Sequence, residues 1–93
     1  MPASVRLGDK SAGHCFNPRP NVQGSPNVFI NGIAAHRVSD YWPKHRCGPR
    51  SHDSITAQGS PNVFINGLAA ARIGDELSCG DHCAEGSPNV FVN

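Results

Sequence analysis

The sequence predicts a mainly β fold, three short β-hairpin repeats closed on themselves with pseudo-threefold symmetry. Three observations predict it. The stretch GSPNVFING occupies residues 24–32 and returns unchanged at 59–67, and a third copy, GSPNVFVN, fills 86–93. Each complete copy ends on Asn-Gly, the favoured dipeptide of a two-residue type I′ hairpin turn. Finally, PASVRLGD at residues 2–9 repeats the pattern that follows those turns, IAAHRVSD at 33–40 and LAAARIGD at 68–75. Arg6 aligns with Arg37 and Arg72, and Asp9 with Asp40 and Asp75.

Taken in chain order, Pro26 and Pro61 fix the backbone ahead of a β-branched and aromatic Val-Phe-Ile run, which reads as a first strand. The Asn-Gly turn follows, and then a second strand whose Ala pairs suit close backbone approach in a thin core. A helix over LAAAR is rejected, since Asn-Gly precedes it, Gly-Asp follows it, and too few residues lie between for a stable helix. The third copy has no second strand after it, and residues 2–9 supply one. The two ends of the chain must therefore meet. An open stack of three repeats would carry distinct caps, whereas a split repeat points to closure with no long edge strand exposed.

At 93 residues the chain makes one small domain, expected to span 1–93 without an extension, and so small a domain needs support beyond its core. The apolar fraction is 38% and the charged fraction 16%, the balance being rich in Gly, Pro, Asn and Ser, a composition of strands and tight turns. Fixed placement of the Val-Phe-Ile runs argues against disorder. No apolar run approaches the roughly 18 residues of a membrane span. The start, MPASVRLGD, lacks the hydrophobic segment of a secretory signal. Synthesis in the cytoplasm is expected, with any outward delivery by other means. A net charge of +1 gives no footprint for nucleic acid. The basic cluster of Lys44, His45, Arg46 and Arg50 could face phosphate but reads better as solvated surface, having no interleaved stacking aromatics.

The unusual chemistry sits in the variable segments 10–23, 41–58 and 76–85, which hold His14, Cys15, His45, Cys47, His52, Cys79, His82 and Cys83. Counted from the aligned Asp residues, His14 and His45 each lie five positions on, and Cys79 four. Three soft or borderline ligands thus recur at nearly the same register position, and around a pseudo-threefold axis they would converge. Tetrahedral zinc takes four N/S ligands, and one structural zinc ion would supply folding energy that the core lacks. The longest insert adds His52 as fourth ligand, with Cys47, Cys83 and His82 as rivals and Cys15 beside His14. The competing use of four cysteines is two disulfides. His36, aligned with Val5 and Ala71, reads as an ordinary surface or hydrogen-bonded group whose replacement matters little. There is no nucleophile elbow, no HExxH and no phosphate loop, and a metal with four protein ligands has no position open to activate water. The chain reads as non-enzymatic.

The combination of GSPNVFING, xAAxR(V/I)xD and the completing PASVRLGD resembles the PAAR-repeat proteins over essentially the full chain. The family's Pro is replaced by Ile33 and Leu68, and Ser39 stands where the other units have Gly8 and Gly74. The resemblance implies a cone whose base binds a trimeric β-helical spike protein, one monomer per trimer. Its point would hold zinc through three His and one Cys, here His14, His45, His52 and Cys79. Such proteins sharpen the spike of a contractile phage tail or type VI secretion apparatus, which pierces a target envelope and touches its membrane transiently. Spike contacts are expected among the Val-Phe-Ile runs and core residues among the alanines, while alternation alone does not orient Phe29, Phe64 and Phe91. The alternative function is a freestanding zinc-binding adaptor for another protein.

Overall fold

Asn31 and Gly32 take φ of 55° and 75°, and Asn66 and Gly67 take 54° and 78°, the left-handed pair that a type I′ turn requires. In the computed structural model these turns join β1 (Phe29–Ile30) to β2 (Ile33–Ala34) and β5 (Phe64–Ile65) to β6 (Leu68–Ala69). The registers are the same, Phe29 opposite Ala34 and Phe64 opposite Ala69. The structure describes residues 1–13, 17–47 and 50–93, without the side chains of His45, Cys47, Arg50 and His52.

The third hairpin is assembled from the two ends of the chain. Ala3 bridges Phe91 antiparallel, and the Val92 amide donates to the Pro2 carbonyl at 3.0 Å. Four residues separate Phe29 from Ala34; Val92, Asn93, Met1 and Pro2 fill the same interval between Phe91 and Ala3. Asn93 and Met1 therefore occupy the places of Asn31 and Gly32. The expected closure is present, and no helix is found among the described residues.

The three units interlock around an axis. Val5 N–H donates to Ala71 O at 3.0 Å, Ala71 N–H to His36 O at 3.1 Å, and His36 N–H to Val5 O at 3.0 Å, a cyclic triangle of backbone bonds. A second ring repeats the pattern, with Leu7 donating to Ala34, Val38 to Ala69 and Ile73 to Ala3. Backbones this close leave no room for side chains opposite them. A Cβ on Gly59 would lie 2.6 Å from Val38 Cγ2 and 2.9 Å from the Ala70 carbonyl oxygen, which explains both the Gly of GSPN and the alanine pair. The Ser of each GSPN accepts the amides two and three residues on, at 3.2 and 2.9 Å in all three copies.

After each second strand the chain turns, and the aligned Arg and Asp fasten that turn. Arg37 Nε and Nη2 both reach the Asp40 carboxylate at 2.9 Å, and its backbone amide does the same. Arg6 with Asp9 and Arg72 with Asp75 repeat the arrangement. The turn needs a positive φ, 88° at Gly8 and 93° at Gly74, and Ser39 adopts 78° in the third unit despite its Cβ.

The core has two layers. Ile30, Ala35, Ile65 and Ala70 form one, with Val63, Val90 and Val92 packed on it; every member belongs to the repeats. The other joins the axial Val5 and Ala71 to Trp42, Leu77 and Cys83 from the variable segments, with Cys79 against it. Hairpins thus pack around one core layer and variable segments around the other, in a body measuring 37 by 24 by 21 Å. The longest variable segment forms a hairpin of its own, not foreseen from sequence, between β3 (Tyr41–Cys47) and β4 (Arg50–Ile55). Its register shifts between Trp42 and His45, where Pro43 cannot donate to the ladder.

Candidate functional site

At the hairpin end the Val-Phe-Ile strands resolve which way each side chain faces. Ile30 and Ile65 are buried, whereas Phe29, Phe64 and Phe91 are 59%, 60% and 48% exposed. The alanine positions Ala35, Ala70 and Ala71 are fully buried, as expected of core. Since the three phenylalanines hold equivalent places in the three units, they form a ring about the pseudo-threefold axis. Aromatic side chains are enriched at protein interfaces relative to the rest of a protein surface.

This end is also held rigidly. Asn31 Nδ2 donates to Asn89 Oδ1 and Asn66 Nδ2 to Asn27 Oδ1, each at 2.8 Å, so every complete turn is tied to the neighbouring hairpin. Ser25 and Ser87 hydroxyls donate to the same turn asparagines, Asn66 and Asn31, at 2.6 Å. Arg37 Nη1 adds a bond to Asn66 Oδ1 at 3.0 Å. The turn residues that shape the hairpins thereby also fix the spacing of the aromatic ring.

At the opposite end the candidate metal ligands come from three segments that the backbone draws together. His45 stands directly opposite His52 in the β3–β4 ladder. The Ile55 carbonyl at the end of β4 accepts the Ser78 amide at 2.8 Å, and Thr56 bridges Leu77, which brings the Cys79 segment against that strand. Ala12 N–H donates to His82 O at 2.9 Å and Gly13 N–H to Asp81 Oδ2 at 3.2 Å, anchoring the chain just before position 14 to the same loop. His14 and Cys15 themselves lie outside the described residues, as do the side chains of His45, His52 and Cys47. Among the described residues, no three His, Cys, Asp or Glu groups stand together to hold a metal ion. What the structure shows is backbone placement alone: positions 45 and 52 are paired in the ladder, the Cys79 segment lies against β4, and residues 12 and 13 are bonded to the loop at 81–82.

Cys79 is partly buried and Cys83 buried, and both are free thiols. A scheme of two disulfides needs both, and this arrangement pairs neither. Burial first, and the nearby Asp75 carboxylate after it, push the Cys83 thiol up to about 12, which suits a core residue rather than a ligand or nucleophile.

His36 corrects the sequence reading. It is a hydrogen-bonded group, but far from an inconsequential one: it is fully buried on the axis, beside Val5 and Ala71. Its Nδ1 lies 2.7 Å from the Gln23 carbonyl oxygen, which only accepts, so Nδ1 carries the proton. Nε2 then accepts from the Thr56 hydroxyl at 2.7 Å, and that oxygen accepts from Trp42 Nε1–H at 2.8 Å. The His36 and Trp42 rings meet edge to face, 5.3 Å apart. Burial lowers the His36 pKa, and the hydrogen bond to the Gln23 carbonyl and the Asp40 carboxylate, 4.0 Å from Nδ1, offset this only in part. Alignment with two apolar residues was the sequence signal that position 36 is interior; the partners Thr56 and Gln23 had no signal of their own.

A sequence profile of the PAAR motif matches residues 18–85, nearly three quarters of the chain. Comparison with curated protein sequences returned no match. No helix among the described residues is long and apolar enough to cross a membrane.

Proposed function

The chain belongs to the PAAR-motif family, and from that premise we propose that it is the tip of a trimeric β-helical spike, docked by its hairpin end and closed at the other by a structural zinc. Family membership supports a structural, non-enzymatic, spike-associated role. The observation that carries the docking is the ring of Phe29, Phe64 and Phe91, three equivalent aromatics presented by a single polypeptide. A monomer that seats on a trimer must offer each subunit the same surface, and the internal repeat does so. The Asn and Ser bonds between turns hold that surface ready before contact, which lowers the ordering cost of binding.

His14, His45, His52 and Cys79 are the residues that would hold the zinc, an N₃S set suited to a closed tetrahedral site. When bound, the metal would cross-link three variable segments and contribute folding energy. The variable-segment end would then lead as the spike advances on contraction of a phage tail or type VI secretion apparatus, touching the target membrane in passing. The chain's own residues supply stiffness: the cyclic backbone triangle, the Arg-Asp clamps and the axial His36 network all resist compression along the axis.

Mixing the protein with a trimeric β-helical spike protein and weighing the complex tests the docking. One chain per trimer is expected, and Phe64→Ser should weaken it about tenfold or more. A complex only with a monomeric target would refute the spike reading in favour of a freestanding adaptor. Metal analysis of protein purified without added zinc, with thiol counting after denaturation, tests the metal separately. One zinc per chain, lost in Cys79→Ser, is expected; metal-free protein that remains folded would end the zinc proposal and leave the docking intact.

A further inference from the structure

Beside the variable-segment hairpin lies a cavity of about 340 Å³, lined among the described residues by Arg19, Lys44, Arg46 and Ser51. On β3 and β4 the buried Trp42 and Ser54 face the core, and Lys44, Arg46 and Ser51 are exposed. Ser51 is the cross-strand partner of Arg46. Arg19 arrives from a different segment, fixed by two bonds to Ser11: its carbonyl accepts the Ser11 amide at 2.9 Å and its amide donates to Ser11 Oγ at 3.3 Å. The sequence groups Lys44 and Arg46 in one basic cluster, read there as solvated surface. With Arg19 they line one concavity.

The distribution of carboxylates makes the cavity stand out. The chain has seven Asp and Glu residues, all of them described. Asp9, Asp40 and Asp75 are committed to Arg6, Arg37 and Arg72. Asp81 is buried and accepts the amides of Gly13 and His82, while Glu85 accepts the Lys10 amide. Asp53 and Glu76 remain, and neither forms an ion pair with Arg19, Lys44 or Arg46. The repeats are thus neutralised in place, and of the cations outside them three line one cavity with no carboxylate paired to them among the described residues. Two planar guanidinium forks, an ammonium and a hydroxyl match the oxygens of a phosphate group, with room for more of a small ligand than the phosphate alone.

The geometry points to a phosphate-binding pocket on the flank of the tip, formed by Arg19, Lys44, Arg46 and Ser51 and suited to a phosphate monoester. Such a group is offered by an anionic lipid head group at a membrane surface and by free phosphate alike. A nucleic acid is disfavoured, because the net charge is only +1 and no stacking aromatic is interleaved with the cations.

The test uses the full chain, titrated calorimetrically with inorganic phosphate and sedimented with vesicles of phosphatidylcholine containing either phosphatidic acid or phosphatidylserine. Phosphate binding is expected, together with preferential capture by phosphatidic acid. Both should weaken by about tenfold or more in the double variant R19Q/R46Q. K10Q, which removes one charge outside the pocket, should change binding less than twofold, and thermal melts confirm that each variant is folded. Phosphate binding without vesicle capture assigns the pocket to free phosphate. The proposal is overturned by absence of phosphate binding, by equal capture on phosphatidylserine, by equal loss in K10Q, or by tighter binding to DNA that does not depend on Arg19 and Arg46.

Discussion

Replacing Thr56 by Val keeps the shape of a fully buried side chain and deletes one oxygen. That oxygen accepts Trp42 Nε1–H at 2.8 Å and donates to His36 Nε2 at 2.7 Å. Thr56→Val therefore orphans two buried polar groups at once. At about 1–3 kcal/mol for each unsatisfied group, the expected loss is roughly 2–6 kcal/mol. A chain of this length has roughly 5–14 kcal/mol in total, so the midpoint of thermal unfolding should drop by roughly 10–50 °C. Thr56→Ser keeps the hydroxyl and loses one methyl group, for about 1 kcal/mol. Urea titrations followed by the fluorescence of Trp42, the single tryptophan, measure both variants at one fixed free-zinc concentration, because a bound ligand shifts apparent stability. If Thr56→Val is within about 0.5 kcal/mol of Thr56→Ser, the network does not act as described.

The same network implies a pH dependence. Burial holds the folded-state pKa of His36 below its ordinary value, so the unfolded chain takes up the proton first. Stability should be full above about pH 6.5 and decline as pH falls below it, by up to about 1.4 kcal/mol per pH unit until the folded-state pKa is passed. His36→Ala, which installs the residue found at the equivalent Ala71, should be less stable at pH 7.5 and should lack that part of the acid slope in urea titrations. Ser39→Gly should stabilise by about 0.5–1 kcal/mol, because Ser39 sits at φ 78° where its counterparts are glycine; an unchanged urea midpoint would count against strain at that turn. Gly59→Ala should cost about 1–3 kcal/mol in the same assay, its Cβ meeting Val38, Ala69 and the Ala70 carbonyl at under 3 Å.

Much of the scaffold is legible in the sequence because it is built from local rules. Asn-Gly turns, GSPN and the Arg-to-Asp clamp each carry their own geometry, and repetition exposes the phase that the chain ends complete. Features that depend on residues far apart in sequence are not legible in this way. Nothing local says that Thr56 will stand between His36 and Trp42, or that Arg19 will reach a cavity with Arg46. The β3–β4 hairpin is hidden for a different reason: Pro43 and the register shift beside it interrupt the alternation that would have announced a strand. Phe29 and Ile30 are both apolar and strand-forming, so only the packed structure separates the outward residue from the inward one.

Asn93 and Met1, standing where Asn31 and Gly32 stand, bring the backbone close to a ring with three equivalent corners. A peptide bond joining residue 93 to residue 1, with new ends opened between Asn66 and Gly67, should give a rearranged chain that reaches the same interior. By the same reasoning, the fold is one that three separate hairpin-bearing peptides could share.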